Sequence, residues 1–236
     1  DYLKLSNIKK YAGTSSGSII SFFLILGYTP DELKDFVLKF NFNKFEPDIN
    51  CNIFLSKYGM DNGEKLITAI RTFLNQKFNK QDITFSELYD LTNKELEVFT
   101  TNYTKGCSEV FSYKNTPDMS VILAIRMSIS VPLLFTPVEY NNNFYVDGGI
   151  TVNFPLKFYN PETSLGIAIV NRRENNLNSL YSYLFGLCSI AMDTISLNAI
   201  RLDKNNKYNF IEINCELKSG LDFSLKKDII EELLLE

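Results

Sequence analysis

Gly13-Thr14-Ser15-Ser16-Gly17 stands between a strand-like segment at residues 8–12 and a nearly all-apolar stretch at residues 16–26. A chain that must leave a strand and enter a buried helix within five small residues has few architectures open to it. Strand, tight turn and helix in that order are a unit of layered α/β proteins. The pattern G-x-S-x-G is also that of a nucleophile elbow, where a serine on a strained turn projects its hydroxyl into a cleft. Gly13 and Gly17 lack side chains where strand and helix pass closely. The Ser16 N–H and the N-terminus of the following helix can stabilise an oxyanion there. Small residues also build ordinary strand-to-helix turns, so the string admits both readings.

A serine hydroxyl is a poor nucleophile until a base takes its proton. The usual base is histidine, and none of the 236 residues is histidine. A carboxylate near its reference pKa of about 4 is a weak base, but burial in apolar surroundings raises that pKa. Asp147 is the candidate: it follows Phe144-Tyr145-Val146 and precedes Gly148 and Gly149. A strand that delivers a carboxylate into a glycine turn can bring it close to another backbone. Asp-Gly is equally a strong turn signal, and on this ground a purely structural role stays open.

Strands and helices alternate along the rest of the chain. Thr29-Pro30-Asp31-Glu32 and Thr84-Phe85-Ser86-Glu87 are capping boxes that open helices. Helical spacing predicts helices over 63–78, 119–128, 181–202 and 225–235. Strands are predicted over 96–102, 109–113, 144–146, 165–170 and 209–214, and residues 41–60 read as a loop. The uninterrupted run Leu165-Gly166-Ile167-Ala168-Ile169-Val170 predicts a strand buried on both faces. No apolar run reads as long enough to cross a bilayer. The alternation predicts a layered α/β fold with a mostly parallel central sheet. The length and 45% hydrophobic content suit one domain over 1–236. Phe22, Phe23, Leu24 and Leu26 read as core, whereas Leu133, Leu134 and Phe135 suit core or acyl-chain contact equally. Arg126 reads as surface or structural, and Asn153 as a brace for the loop after Asp147.

The net charge is −4 and the lysines are scattered. The pairs Lys9-Lys10 and Lys226-Lys227 are too short to be basic runs, which argues against nucleic acid as a partner. Cys51, Cys107, Cys188 and Cys215 have no C-x-x-C spacing and no histidine to complete a zinc site. They read as reduced, mostly buried thiols. Nothing reads as a calcium loop or an organic-cofactor motif.

Together the two motifs resemble the patatin-like phospholipase family, whose members pair a serine with an aspartate and use no histidine. Tyr11-Ala12-Gly13-Thr14-Ser15-Ser16-Gly17-Ser18 is similar to the family's elbow block. Residues 124–135, with Arg126, Ser128 and Pro132, resemble its middle block, in which a helix ends at a serine and a proline beside the site. Tyr145-Val146-Asp147-Gly148-Gly149-Ile150, with Asn153 and Pro155, resembles its aspartate block. Thr84-Phe85-Ser86-Glu87-Leu88 resembles a threonine-phenylalanine-x-x-leucine helix start. The likeness covers residues 8–170 in the family's order.

The resemblance implies a patatin-like three-layer fold. It implies Ser15 as nucleophile and Asp147 as general base and then acid. Ser16, Gly13 and Gly17 would form the elbow and its oxyanion side, and Gly148 and Gly149 would shape the aspartate loop. The implied activity is phospholipase A-type: cleavage of lipid carboxylic esters through an acyl-enzyme, with no metal or organic cofactor. The implied partners are a lipid acyl ester and, transiently, a membrane surface, with a cytoplasmic or peripheral-membrane location. One departure matters. Family members carry a glycine-rich oxyanion loop ahead of the elbow, but the twelve residues before Gly13 include no glycine. The N-terminal strand and that loop are missing from this chain, which starts at Asp1 and stops after Leu233-Leu234-Leu235-Glu236. The reading is of a domain truncated at both ends. Its alternative is a catalytically silent patatin-like lipid-binding or regulatory module, because losing an oxyanion donor costs on the order of a hundredfold to a thousandfold.

Overall fold

The computed structural model describes residues 7–39, 56–171, 178–205 and 208–215. In chain order its elements are β1 (Lys10–Thr14), α1 (Ser16–Ile25), α2 (Pro30–Lys39), β2 (Gly59–Asp61), α3 (Glu64–Phe78) and α4 (Phe85–Thr92). Then come β3 (Glu95–Asn102), β4 (Cys107–Ser112), α5 (Val121–Ser128), β5 (Leu133–Phe135), β6 (Val138–Tyr140) and β7 (Asn143–Asp147). Short 3-10 turns at Gly148–Ile150 and Pro155–Phe158 lead to β8 (Leu165–Asn171), α6 (Leu180–Asn205) and β9 (Asn209–Cys215).

β3 organises the sheet. β4 lies antiparallel along one edge of it, from Glu97 to Asn102. The other edge is shared by two strands placed one after the other. β1 runs parallel beside Glu95–Phe99, with Thr14 opposite Phe99. β7 runs antiparallel beside the next residues, with Asp147 opposite Thr100. The C-terminal ends of β1 and β7 therefore meet at the Phe99–Thr100 peptide. β6 continues the sheet beyond β7, while β2–β5 and β8–β9 form two further parallel pairs. The parallel pairs are all joined through helices, as crossovers require; the tight β3–β4 and β6–β7 connections are antiparallel, and β3–β7 is antiparallel across a longer connection that includes α5. The result is a mixed sheet in a layered α/β fold.

Local signals act where the sequence places them. The Thr29 N–H donates to Glu32 Oε2 at 2.7 Å, and the Glu32 N–H donates to Thr29 Oγ1 at 3.2 Å. Thr84 and Glu87 form the same reciprocal box at the start of α4. Gly27 ends α1 with φ 86, a left-handed conformation that glycine adopts without strain. Phe22, Phe23 and Leu26 enter one core with Phe73, Phe85, Ile125 and Tyr145. Leu134 and Phe135 pack on Met60 and Val131, so these two positions are core.

Four expectations need correction. β8 is buried on one face only: Leu165, Ile167 and Ile169 are exposed, Ile169 by 62%, while Ala168 packs inward on Phe154, Leu156 and Ile200. Among the described residues β8 pairs with β9 alone, and the outward Ile211 and Ile213 of β9 continue the same apolar face. Second, Leu180–Arg201 within α6 is long and apolar enough by length and composition to cross a membrane. Its Ser, Gly and Asn residues break any continuous run, which hides this from a search for unbroken apolar sequence. Third, the cysteines are not mostly buried where they are described: Cys107 is exposed and Cys188 half-buried, both free. Fourth, of the two readings of Arg126 the surface one is excluded and the structural one holds, because Arg126 is buried. Cys51, the expected helix over 225–235 and residues 41–55 of the expected loop lie outside the described residues.

Arg126 clasps three segments. Its Nε donates to the Asn62 carbonyl at 3.0 Å, Nη1 to Ser130 Oγ at 2.6 Å and Nη2 to the Thr136 carbonyl at 2.9 Å. Burial pulls its pKa down to about 10, so the guanidinium stays charged at neutral pH. A lysine keeps the charge but not the planar fork that reaches acceptors on three separate residues. Arg126→Lys is expected to lower stability by about 2–3 kcal/mol, read as a fall in the urea midpoint.

Candidate active site

Ser15 is the single residue between β1 and α1, with φ 53 and ψ −128. A positive φ on a non-glycine residue is strained, by about 1–3 kcal/mol. The strain follows from how close the helix sits to the strand. A Cβ on Gly13 would lie 2.3 Å from the Gly17 carbonyl carbon and oxygen. The first turn of α1 thus rides on β1 itself, and the chain must reverse within one residue. Thr14 pins the strand end by donating Oγ1–H to the Val152 carbonyl at 2.9 Å.

Asp147 arrives from the opposite direction as the last residue of β7 and is fully buried. The Ser15 hydroxyl donates to its Oδ2 at 2.6 Å, and the Gly149 N–H donates to its Oδ1 at 2.8 Å. Its main chain is also held: its N–H donates to the Ser130 carbonyl at 2.9 Å, and its carbonyl accepts from Thr101 Oγ1 at 2.9 Å. Burial pushes the Asp147 carboxyl up to about 7, against smaller downward pulls from the Ser15 and Gly149 hydrogen bonds. The side chain combines a raised proton affinity with a hydrogen bond from a strained serine, an arrangement suited to proton transfer.

Ser15, Ser16 and Gly17 line a cavity of about 1120 Å³. Among the described residues, the Ser16 and Gly17 N–H groups at the start of α1 have no protein acceptor. They carry the positive end of the helix dipole. The far wall of the cavity includes five consecutive residues of β8, from Leu165 to Ile169, and its near wall includes Lys10, Ala12, Gly13 and Thr14 of β1. Successive strand residues point to opposite faces, so lining by consecutive residues means that strand edges, not faces, border the space. Phe154, Leu156 and Met192 supply apolar surface. Among the described residues, no group of three His, Cys, Asp or Glu side chains could hold a metal ion.

The structure brings Gly13, Ser15, Ser16, Gly17, Asp147, Gly148 and Gly149 together. Asn153 braces the aspartate loop against α6 by donating to Ser196 Oγ. Leu133, Leu134 and Phe135 stay out of the cavity lining. Sequence reasoning placed Ser128 beside the site through the middle block but gave it no role, and did not single out Ser130; Ser128 bonds Ser15, and Ser130 bonds Asp147. Their one signal is the pair of serines two apart at the end of a helix, just before Pro132.

The two glycines after Asp147 are not equivalent. A Cβ on Gly148 would lie 2.3 Å from the Phe99 carbonyl oxygen, which is sheet backbone. A Cβ on Gly149 would first meet the flexible end of Met192, at 2.5 Å. Gly148→Ala is therefore expected to cost about 3 kcal/mol or more, and Gly149→Ala distinctly less, by urea unfolding.

Comparison with known proteins adds an independent line. A family model described as patatin-like phospholipase matches residues 1–158. The "probable lipid hydrolase 463L" of Invertebrate iridescent virus 6 is 36% identical over 160 residues, covering 65% of this chain and 54% of that protein. The chain thus spans about half the length of that relative. Protein R571 of Acanthamoeba polyphaga mimivirus, to which no function is attached, is 29% identical over 247 residues, covering 98% of this chain and 82% of that one. The crystal structure of VipD from Legionella pneumophila superposes with a TM-score of 0.58 at 15% identity, over 98% of this chain and 62% of that one. That likeness is one of fold.

Proposed function

The chain belongs to the patatin-like phospholipase family, and from that premise we propose that it hydrolyses lipid carboxylic esters, as a phospholipase A does, through Ser15 and Asp147. The observation that carries this reading is the 2.6 Å hydrogen bond from Ser15 Oγ to Asp147 Oδ2, in a chain without histidine. The Ser15 oxygen attacks the ester carbonyl while its proton passes to Asp147. Negative charge develops on the carbonyl oxygen, where the Ser16 and Gly17 N–H groups are free to meet it. Asp147 returns the proton to the departing alcohol, leaving Ser15 acylated. Water then gives a proton to Asp147 and attacks the acyl carbon, and Ser15 recovers that proton as the fatty acid leaves. The apolar wall of the cavity accepts the acyl chain. No metal or organic cofactor enters this scheme.

Release of fatty acid from phosphatidylcholine in mixed micelles tests it. Ser15→Ala and Asp147→Asn are each expected to lose turnover by about a thousandfold or more while keeping the native circular dichroism. Substantial activity in either folded variant would overturn the pairing. A fluorophosphonate that fails to label Ser15 in the parent protein would favour a silent lipid-binding module instead.

Two pH effects follow from the buried carboxyl. The base must be ionised to accept the serine proton, so kcat/KM is expected to fall as pH drops below about 7. Stability runs the other way. In the unfolded chain the carboxyl ionises near 3.8, whereas in the fold it keeps its proton to about 7. Its contribution is most favourable below about pH 4 and is lost as pH rises through that window. Asp147→Asn is therefore expected to be more stable than the parent at pH 8, by up to about 4 kcal/mol, with the gain shrinking to little near pH 4. Chemical denaturation at the two pH values reads this difference.

A further inference from the structure

Ser128 ends α5, is fully buried and lies outside the proton path described above. Its Oγ accepts a hydrogen bond from the Ser15 main-chain N–H at 2.9 Å and donates one to the Phe99 carbonyl at 2.7 Å. Phe99 is where the ladder between β1 and β3 stops, because Thr14 is its partner and Ser15 has already turned away. The turn removes the Ser15 N–H from the sheet edge. The Ser128 hydroxyl fills the gap, linking that N–H to the Phe99 carbonyl. A hydroxyl suits this task because it donates and accepts at once.

We propose that Ser128 is a positioning residue: its hydroxyl stands in for the missing ladder bond and so locks Ser15 in its strained conformation, with Oγ aimed at Asp147. The inference rests on the reading of Ser15 as nucleophile. Three features make the role more than packing. A residue at φ 53 relaxes unless its surroundings hold it. Ser18 grips the same residue from the other side, its Oγ and its N–H both donating to the Ser15 carbonyl, at 2.6 and 2.9 Å. Ser15 is thus held at both main-chain polar groups while its side chain is left for Asp147. The Ser128 bond also occupies the Ser15 N–H, which leaves the oxyanion to the N–H groups of Ser16 and Gly17.

Loss of the hydroxyl leaves two buried polar groups unpaired and frees the turn. As Ser15 Oγ drifts from Asp147, the carboxyl loses one of the two bonds that pull its proton affinity down. The test measures the rate of fluorophosphonate labelling at Ser15 against pH, in the full chain. Ser128→Ala is expected to slow labelling on the order of a hundredfold and to move the acid limb to higher pH. Ser128→Thr keeps a hydroxyl and is expected to keep the parent's limb. Should Ser128→Ala not fold, the volume-matched Ser128→Cys carries the same expectation, since a thiol is a weak donor and acceptor. A folded Ala or Cys variant with the parent's rate and limb overturns the positioning role, even if its melting temperature falls. That result leaves the serine–aspartate reading standing. A parent protein that is not labelled at Ser15 overturns both.

Discussion

The site depends on two strand ends meeting along one edge of β3. β1 stops opposite Phe99 and β7 stops opposite Thr100, approaching from opposite directions. Adjacent residues of one strand are only about 3.8 Å apart, so Ser15, which follows the first pairing, and Asp147, which makes the second, are forced together. Ser15 and Asp147 are 132 positions apart in the chain but share a single junction in space. β4 fills the other edge of β3, so neither strand end can move across to it. A shift of one residue in either register would turn the side chains to the opposite face and part the pair.

The junction is costly, and α5 meets the cost from one short segment. Ser15 has unfavourable backbone angles, and Asp147 carries its carboxyl into a place where its charged form is disfavoured. Ser128 holds the first residue by its N–H, and the Ser130 carbonyl holds the second by its N–H. Both serines sit at the end of a helix whose Ile122, Ala124, Ile125 and Met127 are wholly or almost wholly buried. Arg126, on the same turn, bonds Ser130 Oγ and ties this corner to Asn62 and Thr136. The strain is therefore carried by a packed helix end with little freedom to yield, not by a loop.

Much of this was legible in the sequence, for reasons that are local. Gly13 to Gly17 marks a tight strand-to-helix turn by composition, and the absence of histidine directs attention to Asp147. Capping boxes at Thr29 and Thr84 involve residues three apart, so reading them needs no tertiary knowledge. What the sequence hid depends on neighbours. Leu165 to Val170 has the composition of a doubly buried strand, but burial is decided by what lies on each face, and among the described residues Phe154, Leu156 and α6 cover one face while the other is exposed. Arg126 gave no sign that four carbonyl and hydroxyl acceptors, from Asn62, Ser130 and Thr136, would gather round it. Ser128 looked like a helix-end serine, because its partners Ser15 and Phe99 lie 113 and 29 positions away.

The lack of histidine also fixes what the carboxyl must do. In the proposed reaction one group removes a proton from an alcohol and later protonates an alkoxide. An ordinary aspartate, ionised above about pH 4, is too weak a base for the first step. A carboxyl with a much higher proton affinity would be protonated at neutral pH and unable to begin. Efficiency in both directions requires a proton affinity near the working pH, and burial brings Asp147 to about 7 with no cation among the causes of the shift. A neighbouring lysine or arginine would pull it back toward the range of a surface aspartate. The burial of Asp147, with no cation offsetting it, is thus what would allow a two-residue arrangement to stand in for a three-residue one.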